Sequence, residues 1–182
     1  MTETNEIYAV FCGAIDQANA QRVVGSLAIA TQNKVERLHI LWQSAGGFVG
    51  DGVFLYNVFR SVPVAVTLYN AGQVSSAGAI AYLGARSRQT TASAIFMLHR
   101  STSSPQFAGS ARLERVAKSL ALDDSRTEAI LRAEMALPDE LWNEMNFHDL
   151  YLSADEALKY GLAHAIGEFA PPPGRPVFNI LG

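Results

Sequence analysis

The sequence predicts an α/β domain built around a parallel β-sheet, and three observations support this fold class. Four short apolar runs with little polar alternation are typical of strands covered on both faces: Ile7–Phe11, Leu38–Trp42, Val64–Tyr69 and Ala94–Leu98. Helical patterns lie between the runs, and the order strand, helix, strand, helix is typical of right-handed βαβ units. The length of 182 residues fits one domain.

Each of the first connections between strands carries its own helix signal. Asp16 can cap a first helix, in which apolar residues recur at helical spacing. A second helix ends at Ser61–Pro63, because the residue before a proline disfavours helical backbone. The segment Ser76–Ala85 is rich in small residues and is predicted to form a third, short helix.

The second half of the chain predicts one long helix and two short ones. A polar, Ser-rich loop at Ser101–Gly109 precedes the long helix, which covers roughly Ala111–Met135. Pro138 fits the first position of the next helix. Ser153 begins a capping box, so a tight helix is predicted over Ala154–Tyr160.

The C-terminal end predicts a change from domain to tail. Prolines at Pro171–Gly174 cannot continue regular structure. We therefore expect one domain over residues 1–170 and a proline-rich surface tail over residues 171–182.

Composition and charge exclude several classes of protein. Apolar residues make up 49% of the chain and charged residues 17%, which excludes a disordered protein and indicates a large core or a buried subunit interface. The net charge is −3 and neither half is basic, so neither nucleic acid nor a membrane is an expected partner. Cys12 is alone, which excludes an internal disulfide. The start does not have the pattern of a signal peptide, so a cytoplasmic location is expected.

Two glycine-containing turns could carry chemistry. Ser44–Gly47 follows the second predicted strand, and its amide hydrogens could bind an oxyanion. The alternative is an ordinary strand-to-helix turn. Gly72–Ala79 places Ser75 and Ser76 at the start of a helix, where the helix dipole favours negative charge. The alternative is that either serine is a plain N-cap.

A histidine and an aspartate complete a possible catalytic set. His99 ends the fourth predicted strand, where an imidazole is a natural general base, and Asp149 could orient it. The alternatives are a structural histidine and a solvated turn aspartate. Catalytic groups of parallel α/β domains gather at the carboxyl ends of strands. The order glycine turn, serine, histidine, aspartate therefore predicts an acyl-transfer site at the ends of one sheet.

Together these motifs resemble the proteolytic subunit of the Clp protease, ClpP. The likeness covers roughly Glu6 to Phe169, and Leu152–Leu162 is close to the family's LSAxEAxxYGL. The segments that carry it are Ser44–Gly47, Gly72–Ser76, Met97–His99 and Asp149–Leu162. The resemblance implies a ClpP/crotonase-like spiral of ββα units with a protruding long helix. It also implies a serine endopeptidase with no cofactor and no metal.

The resemblance implies a role for each candidate residue. The family's nucleophile lies four residues after a glycine, which from Gly72 gives Ser76 rather than Ser75. His99 would be the general base and Asp149 its partner.

The resemblance also implies where the substrate lies. The amides of Gly47 and Ala77 would form the oxyanion hole. Peptide or unfolded protein would lie extended beside the site, in contact with Gly46, Phe48, Val49 and Arg100.

The chain departs from the family's pattern in ways that bear on partners. The family has Met where Ala77 stands and Gln-Pro where Arg100 and Ser101 stand. The sequence begins almost at its first strand, and His148 replaces an arginine used in ring-to-ring contacts. These departures argue against an ATPase partner and a double ring. The predicted long helix matches the element that joins rings, so a homo-oligomeric ring is expected.

Two other functions stay open at this point. The first is a catalytically inactive scaffold subunit of the same fold, against which the intact Ser76, His99 and Asp149 argue. The second is an acyl-CoA-binding enzyme of the crotonase type, which shares the fold and the oxyanion hole. No suitably placed glutamate follows the glycine motifs, and this argues against the second function.

Overall fold

A computed structural model describes residues 5–107 and 109–182 of the chain. The first four residues of the predicted domain, and residue 108 of the predicted Ser-rich loop, lie outside the described residues. The elements follow in the order β1 (Glu6–Cys12), α1 (Gln17–Gln32), β2 (Arg37–Gln43), α2 (Val49–Ser61), β3 (Ala65–Asn70), β4 (Gln73–Ser75), α3 (Ala77–Leu83), β5 (Ser87–Thr90), β6 (Ile95–Leu98), α4 (Ser110–Glu134), α5 (Asp139–Met145), β7 (Leu150–Ser153), α6 (Ala154–Lys159), β8 (Ala165–Ile166) and β9 (Val177–Asn179).

The larger sheet has six parallel strands in the order β8-β5-β3-β2-β1-β9. Its central strands β1, β2 and β3 lie within one residue of the predicted bounds. Phe11 and Trp42 are partners across β1 and β2, and their rings stack with centroids 4.2 Å apart. Phe59 of α2 packs edge-on against Trp42 at 5.7 Å. These buried aromatic side chains fix the carboxyl end of β2, where the glycine turn begins.

A second, smaller sheet contains β4, β6 and β7. The fourth predicted strand lies here as β6, so the prediction that all the candidate groups lie at the ends of one sheet is wrong. Strand β6 runs parallel to β4 and antiparallel to β7, with Leu98 opposite Leu150. The antiparallel pairing places the start of β7 beside the end of β6, which brings Asp149 next to His99. A bridge between Ser44 and Val74 joins the two sheets.

The predicted helix ends are largely confirmed. Asp16 caps α1 by accepting a hydrogen bond from the amide of Asn19 at 2.8 Å. Helix α2 ends at Ser61, and Val62 is extended before the proline. Pro138 occupies the N-cap of α5 rather than its first helical position, because its ψ of 158° is extended.

The long helix α4 leaves the core over most of its length. Among the described residues of α4, Leu131, near the C-terminal end, is the one that is buried. Glu134 anchors that end, because its carboxylate accepts hydrogen bonds from Tyr56 at 2.9 Å and Arg88 at 3.1 Å. The N-terminal part is exposed, which agrees with the predicted protruding helix. Within residues 5–107 and 109–182, no helix has the length and apolar character needed to cross a membrane.

The C-terminal end differs from the predicted surface tail. After the proline run, β9 pairs in parallel with β1, and Ile180 donates a backbone hydrogen bond to Val10 at 2.9 Å. Ile180 is buried against the core. The proline run itself lies outside helices and strands, as predicted, but the three residues of β9 cover an edge that β1 would otherwise expose.

We expect that replacing Ser153 with alanine lowers the free energy of unfolding by about 1 kcal/mol at neutral pH. Ser153 and Glu156 form the predicted capping box, and the hydroxyl and amide of Ser153 lower the pKa of Glu156 by hydrogen bonding. The Glu156 carboxylate therefore stabilises the folded state above its unfolded-state pKa, and this stabilisation is lost as the pH falls through its folded-state pKa. The effect of Ser153→Ala should therefore shrink in acid.

Urea unfolding at neutral pH and at about pH 3 measures this difference. Ser104→Ala, at an exposed loop serine, is the control and should change little. An equal effect of Ser153→Ala at both pH values would contradict the role of the Glu156 carboxylate.

Candidate active site

The loop after β2 turns at two glycines. Gly46 has a φ of +102° and Gly47 a φ of +154°, which other residues rarely adopt. A Cβ at Gly46 would lie 2.6 Å from the Cβ of Ser76, and a Cβ at Gly47 would collide with the carbonyl oxygen of Ile15. Ile15 pairs with this loop: its amide donates to the carbonyl of Gly46 at 2.9 Å, and its carbonyl accepts from the amide of Phe48 at 2.8 Å. Glycine at position 46 therefore lets the loop pass directly against Ser76.

Gly47→Ala is expected to lower the free energy of unfolding by about 3 kcal/mol, through backbone strain and the collision with Ile15. Gly25→Ala is the matched control, because an added Cβ in this part of α1 meets no atom within 4 Å. The control should raise stability by about 0.5–1 kcal/mol through helix propensity. Urea unfolding compares the two variants. A Gly47 variant as stable as the wild type would contradict the described loop.

Ser76 stands between β4 and α3 with a strained backbone. Its φ of +53° and ψ of −130° are uncommon for a residue with a side chain. It occupies the N-cap position of α3, but its side chain makes no capping hydrogen bond. Its Oγ lies instead 2.7 Å from His99 Nε2. The plain N-cap alternative therefore does not describe Ser76.

The neighbouring serine has a different environment. Ser75 is 1% exposed and accepts a hydrogen bond from the side chain of Gln73 at 2.9 Å. Its amide donates to the carbonyl of Ser44 at 2.9 Å. Ser75 is thus a buried structural residue, whereas Ser76 is partly exposed.

His99 lies between Ser76 and Asp149. Its Nδ1 is 3.8 Å from Asp149 Oδ1, which is within reach of an ion pair and too long for a hydrogen bond. The Asp149 side chain is 50% exposed and the His99 side chain 23%. Catalytic hydrogen bonds are often long without substrate and tighten in the complex. The structure therefore brings the three predicted residues together, with the serine–histidine contact formed and the histidine–aspartate contact open.

The two predicted oxyanion donors are near Ser76 and unpaired. Ala77 directly follows Ser76, and Gly47 follows the glycine that touches it. Neither amide donates to an acceptor within the described part of the chain. The amide of Ser76, in contrast, donates to the carbonyl of Met97 at 2.8 Å. The Gly47 and Ala77 amides are therefore available to a ligand.

A small cleft of about 20 Å³ opens beside Ser76 and His99. Its other lining residues, apart from Ala77, are Val49, Ile80, Leu98, Leu131, Ser101 and Thr127. Most of these side chains are apolar, so the cleft presents an apolar wall beside Ser76 and His99. Of the predicted substrate contacts, Val49 lines the cleft, and Phe48 beside it in sequence is 70% exposed.

Five lining residues were not among the predicted site residues: Ile80, Leu98, Ser101, Thr127 and Leu131. Ile80 comes from α3, and Thr127 and Leu131 come from α4. The spacing of four between Thr127 and Leu131 puts them on one face of a helix, which is a signal the sequence does contain. Which partner that face contacts depends on the packing of α4 against α3.

The guanidinium of Arg100 makes hydrogen bonds within the chain. Its guanidinium donates to Glu128 at 2.7 Å and to Asn146 at 2.7 Å and 3.0 Å. These bonds occupy the group that was predicted to contact substrate. Contact between Arg100 and substrate stays a prediction.

The fold and the site together define a class of protein. An α/β domain that brings a serine, a histidine and an aspartate together, with free amides nearby, has the groups of a serine hydrolase. The family model described as Clp protease matches residues 3–169. The chain therefore belongs to the Clp protease family, a family of peptidases, and the predicted resemblance is confirmed.

Individual relatives agree with this assignment. The chain is 26% identical over 156 residues to ATP-dependent Clp protease proteolytic subunit 2 of Pseudomonas aeruginosa, covering 85% of this chain and 77% of the relative. It is 28% identical over 156 residues to subunit 3 of Rhizobium johnstonii, covering 85% and 80%. A solved structure of a ClpP1 mutant from Listeria monocytogenes superimposes with a TM-score of 0.77 at 23% identity, covering 91% and 92%. The predicted ClpP fold is confirmed.

Proposed function

We propose that this protein is a serine endopeptidase that cleaves peptides or unfolded protein through an acyl-enzyme on Ser76. The observation that carries this proposal is the 2.7 Å contact between Ser76 Oγ and His99 Nε2. A serine side chain that is free of any capping bond and lies against an imidazole is set up as an activated nucleophile.

The first half of the reaction forms the acyl-enzyme. His99 Nε2 takes the proton of the Ser76 hydroxyl as Oγ attacks the carbonyl carbon of the scissile peptide bond. The tetrahedral intermediate collapses when the imidazolium gives this proton to the leaving nitrogen, and the C–N bond breaks. Asp149 stabilises the imidazolium, which requires the 3.8 Å separation to close when substrate binds.

The second half releases the product. Water loses a proton to His99 and attacks the ester carbon, and the proton then returns to Ser76 Oγ as the ester bond breaks. In both halves the negative oxygen of the intermediate needs hydrogen-bond donors. The unpaired amides of Gly47 and Ala77 supply them in this proposal.

The substrate is proposed to lie as an extended chain along the loop from Gly46 to Val49. An apolar side chain of the substrate occupies the cleft beside Ser76, where Leu98 and Leu131 form part of the wall. This arrangement favours cleavage after apolar residues over cleavage after charged ones, because the wall offers a charge little compensation.

Assembly with copies of this chain into a ring is part of the proposal. Large apolar side chains are exposed on α1, α4 and β9, including Ile29 at 61%, Leu122 at 61% and Phe178 at 53%. Exposed apolar side chains of this size are typical of surfaces that become buried. The curated relatives are named as proteolytic subunits, which is consistent with assembly. A monomeric native mass would contradict this part.

Peptide hydrolysis tests the proposal. The assembled protein should cleave a fluorogenic peptide with an apolar residue before the scissile bond, and a fluorophosphonate should stop the cleavage. Adding an unfolded protein without any ATPase tests the expectation that no such partner is needed. A folded and assembled sample with no turnover would instead favour the inactive scaffold. The observation in favour of that alternative is the 3.8 Å separation between His99 and Asp149, which is too long for a hydrogen bond.

A further inference from the structure

Arg100 directly follows His99 and joins it to two other parts of the chain. Its Nη1 donates to Glu128 of α4 at 2.7 Å, and its Nε and Nη2 both donate to the side-chain oxygen of Asn146 at 3.0 Å and 2.7 Å. A planar guanidinium can make these bonds at the same time. An ammonium group cannot reproduce this forked arrangement of N–H donors.

Glu128 is itself held in place. Arg132 donates to its second oxygen at 2.8 Å, and the two arginines keep the pKa of Glu128 below its usual value, Arg100 making the larger contribution. The guanidinium of Arg132 also lies 4.1 Å from the ring centre of Trp142, a buried residue of α5. The Arg100–Glu128 pair is therefore fixed to two helices rather than free at the surface.

The segment with Asp149 depends on these contacts. Asn146 ends α5 three residues before Asp149, and the turn between them is closed by amides of Phe147 and His148 on the carbonyl of Glu144. The Asp149 carboxylate accepts no hydrogen bond from any described residue, and its one ionic contact is with His99 at 3.8 Å. Its position relative to His99 is therefore set on one side by the pairing of Leu98 with Leu150 and on the other by the turn, which Arg100 holds through Asn146.

We propose that Arg100 is a positioning residue, which holds the turn that carries Asp149 against His99 by binding Asn146, with Glu128 fixing the guanidinium. This inference rests on the proposed function. It offers an alternative to substrate contact as the role of Arg100, because three of the five N–H donors of the guanidinium are bound within the chain.

The steady-state kinetics of Arg100→Ala distinguish the two roles. A positioning residue that acts through Asp149 contributes in the transition state, so kcat should fall about tenfold with KM unchanged. A substrate contact would raise KM with kcat unchanged. Arg100→Lys keeps the charge but not the fork, so it should not restore kcat. Arg37→Ala is the matched control, because it removes an arginine from an exposed ion pair with Glu6 at the far end of β2.

A double-mutant cycle with Asp149→Ala completes the test. If Arg100 acts through Asp149, Arg100→Ala causes no further loss of kcat once Asp149 is alanine. A full tenfold loss in that background, or a raised KM, would overturn the inference while leaving the proposed function standing. Absence of turnover by the wild type would overturn both. Should Arg100→Ala fail to fold, Asn146→Ala removes the same link from an exposed position and must show the same coupling.

Discussion

Replacing Ser76 with alanine is expected to reduce kcat by about 10⁴- to 10⁶-fold, an effect that only the loss of His99 should match. The adjacent hydroxyl does not take its place, because Ser75 is 1% exposed and is bonded to Gln73. The variant should fold, since the Ser76 side chain makes no capping bond and its hydrogen-bond partner among the described residues is His99. Residual turnover would come from the oxyanion donors and substrate binding.

Peptide hydrolysis by purified Ser76→Ala protein measures this effect. Ser75→Ala is the matched control at the adjacent serine, and it should keep kcat within a fewfold while losing some stability from the broken bond to Gln73. If Ser76→Ala retained wild-type turnover, or if Ser75→Ala abolished it, the nucleophile would be assigned wrongly.

His99→Ala is expected to cost about as much as the loss of Ser76, because an unactivated hydroxyl is a poor nucleophile. The two losses should not add, since the serine and the histidine act as one unit. The double variant Ser76→Ala/His99→Ala should therefore be no slower than either single variant. His148→Ala is the control at an exposed histidine of the neighbouring turn, and it should stay near wild-type activity.

The same hydrolysis assay compares the two single variants, the double variant and the His148→Ala control. A His99 variant within tenfold of the wild type would show that another group takes the proton. Losses that multiply in the double variant would show that Ser76 and His99 act in separate steps.

The sequence was most informative about the central strands and the order of the catalytic groups. Strands β1, β2 and β3 were predicted within one residue because strands buried on both faces are continuous apolar runs. Strands β5 and β8 were missed, because Ser87–Thr90 is polar and Ala165–Ile166 has two residues. Assignment of β6 to a second sheet depends on pairing with β4 and β7, which no local pattern records.

The catalytic residues could be predicted from element ends, but their surroundings could not. Ser76 and His99 each follow a strand, so their positions depend on local structure. The contacts of Arg100 could not be predicted, because its partners Glu128 and Asn146 lie 28 and 46 residues away along the chain. The cleft wall from α4 is likewise made by packing between distant segments. Contacts of this kind require the three-dimensional fold.

Covalent labelling with a fluorophosphonate, followed by mass spectrometry of the digested protein, tests the central claim most directly. The account predicts a phosphonyl adduct on Ser76 of the folded wild-type protein, loss of labelling in Ser76→Ala, and labelling retained in Ser75→Ala. The serine–histidine contact of 2.7 Å is the reason to expect this selectivity. A folded wild-type protein without an adduct, or a Ser76→Ala variant labelled as strongly as the wild type, would contradict it.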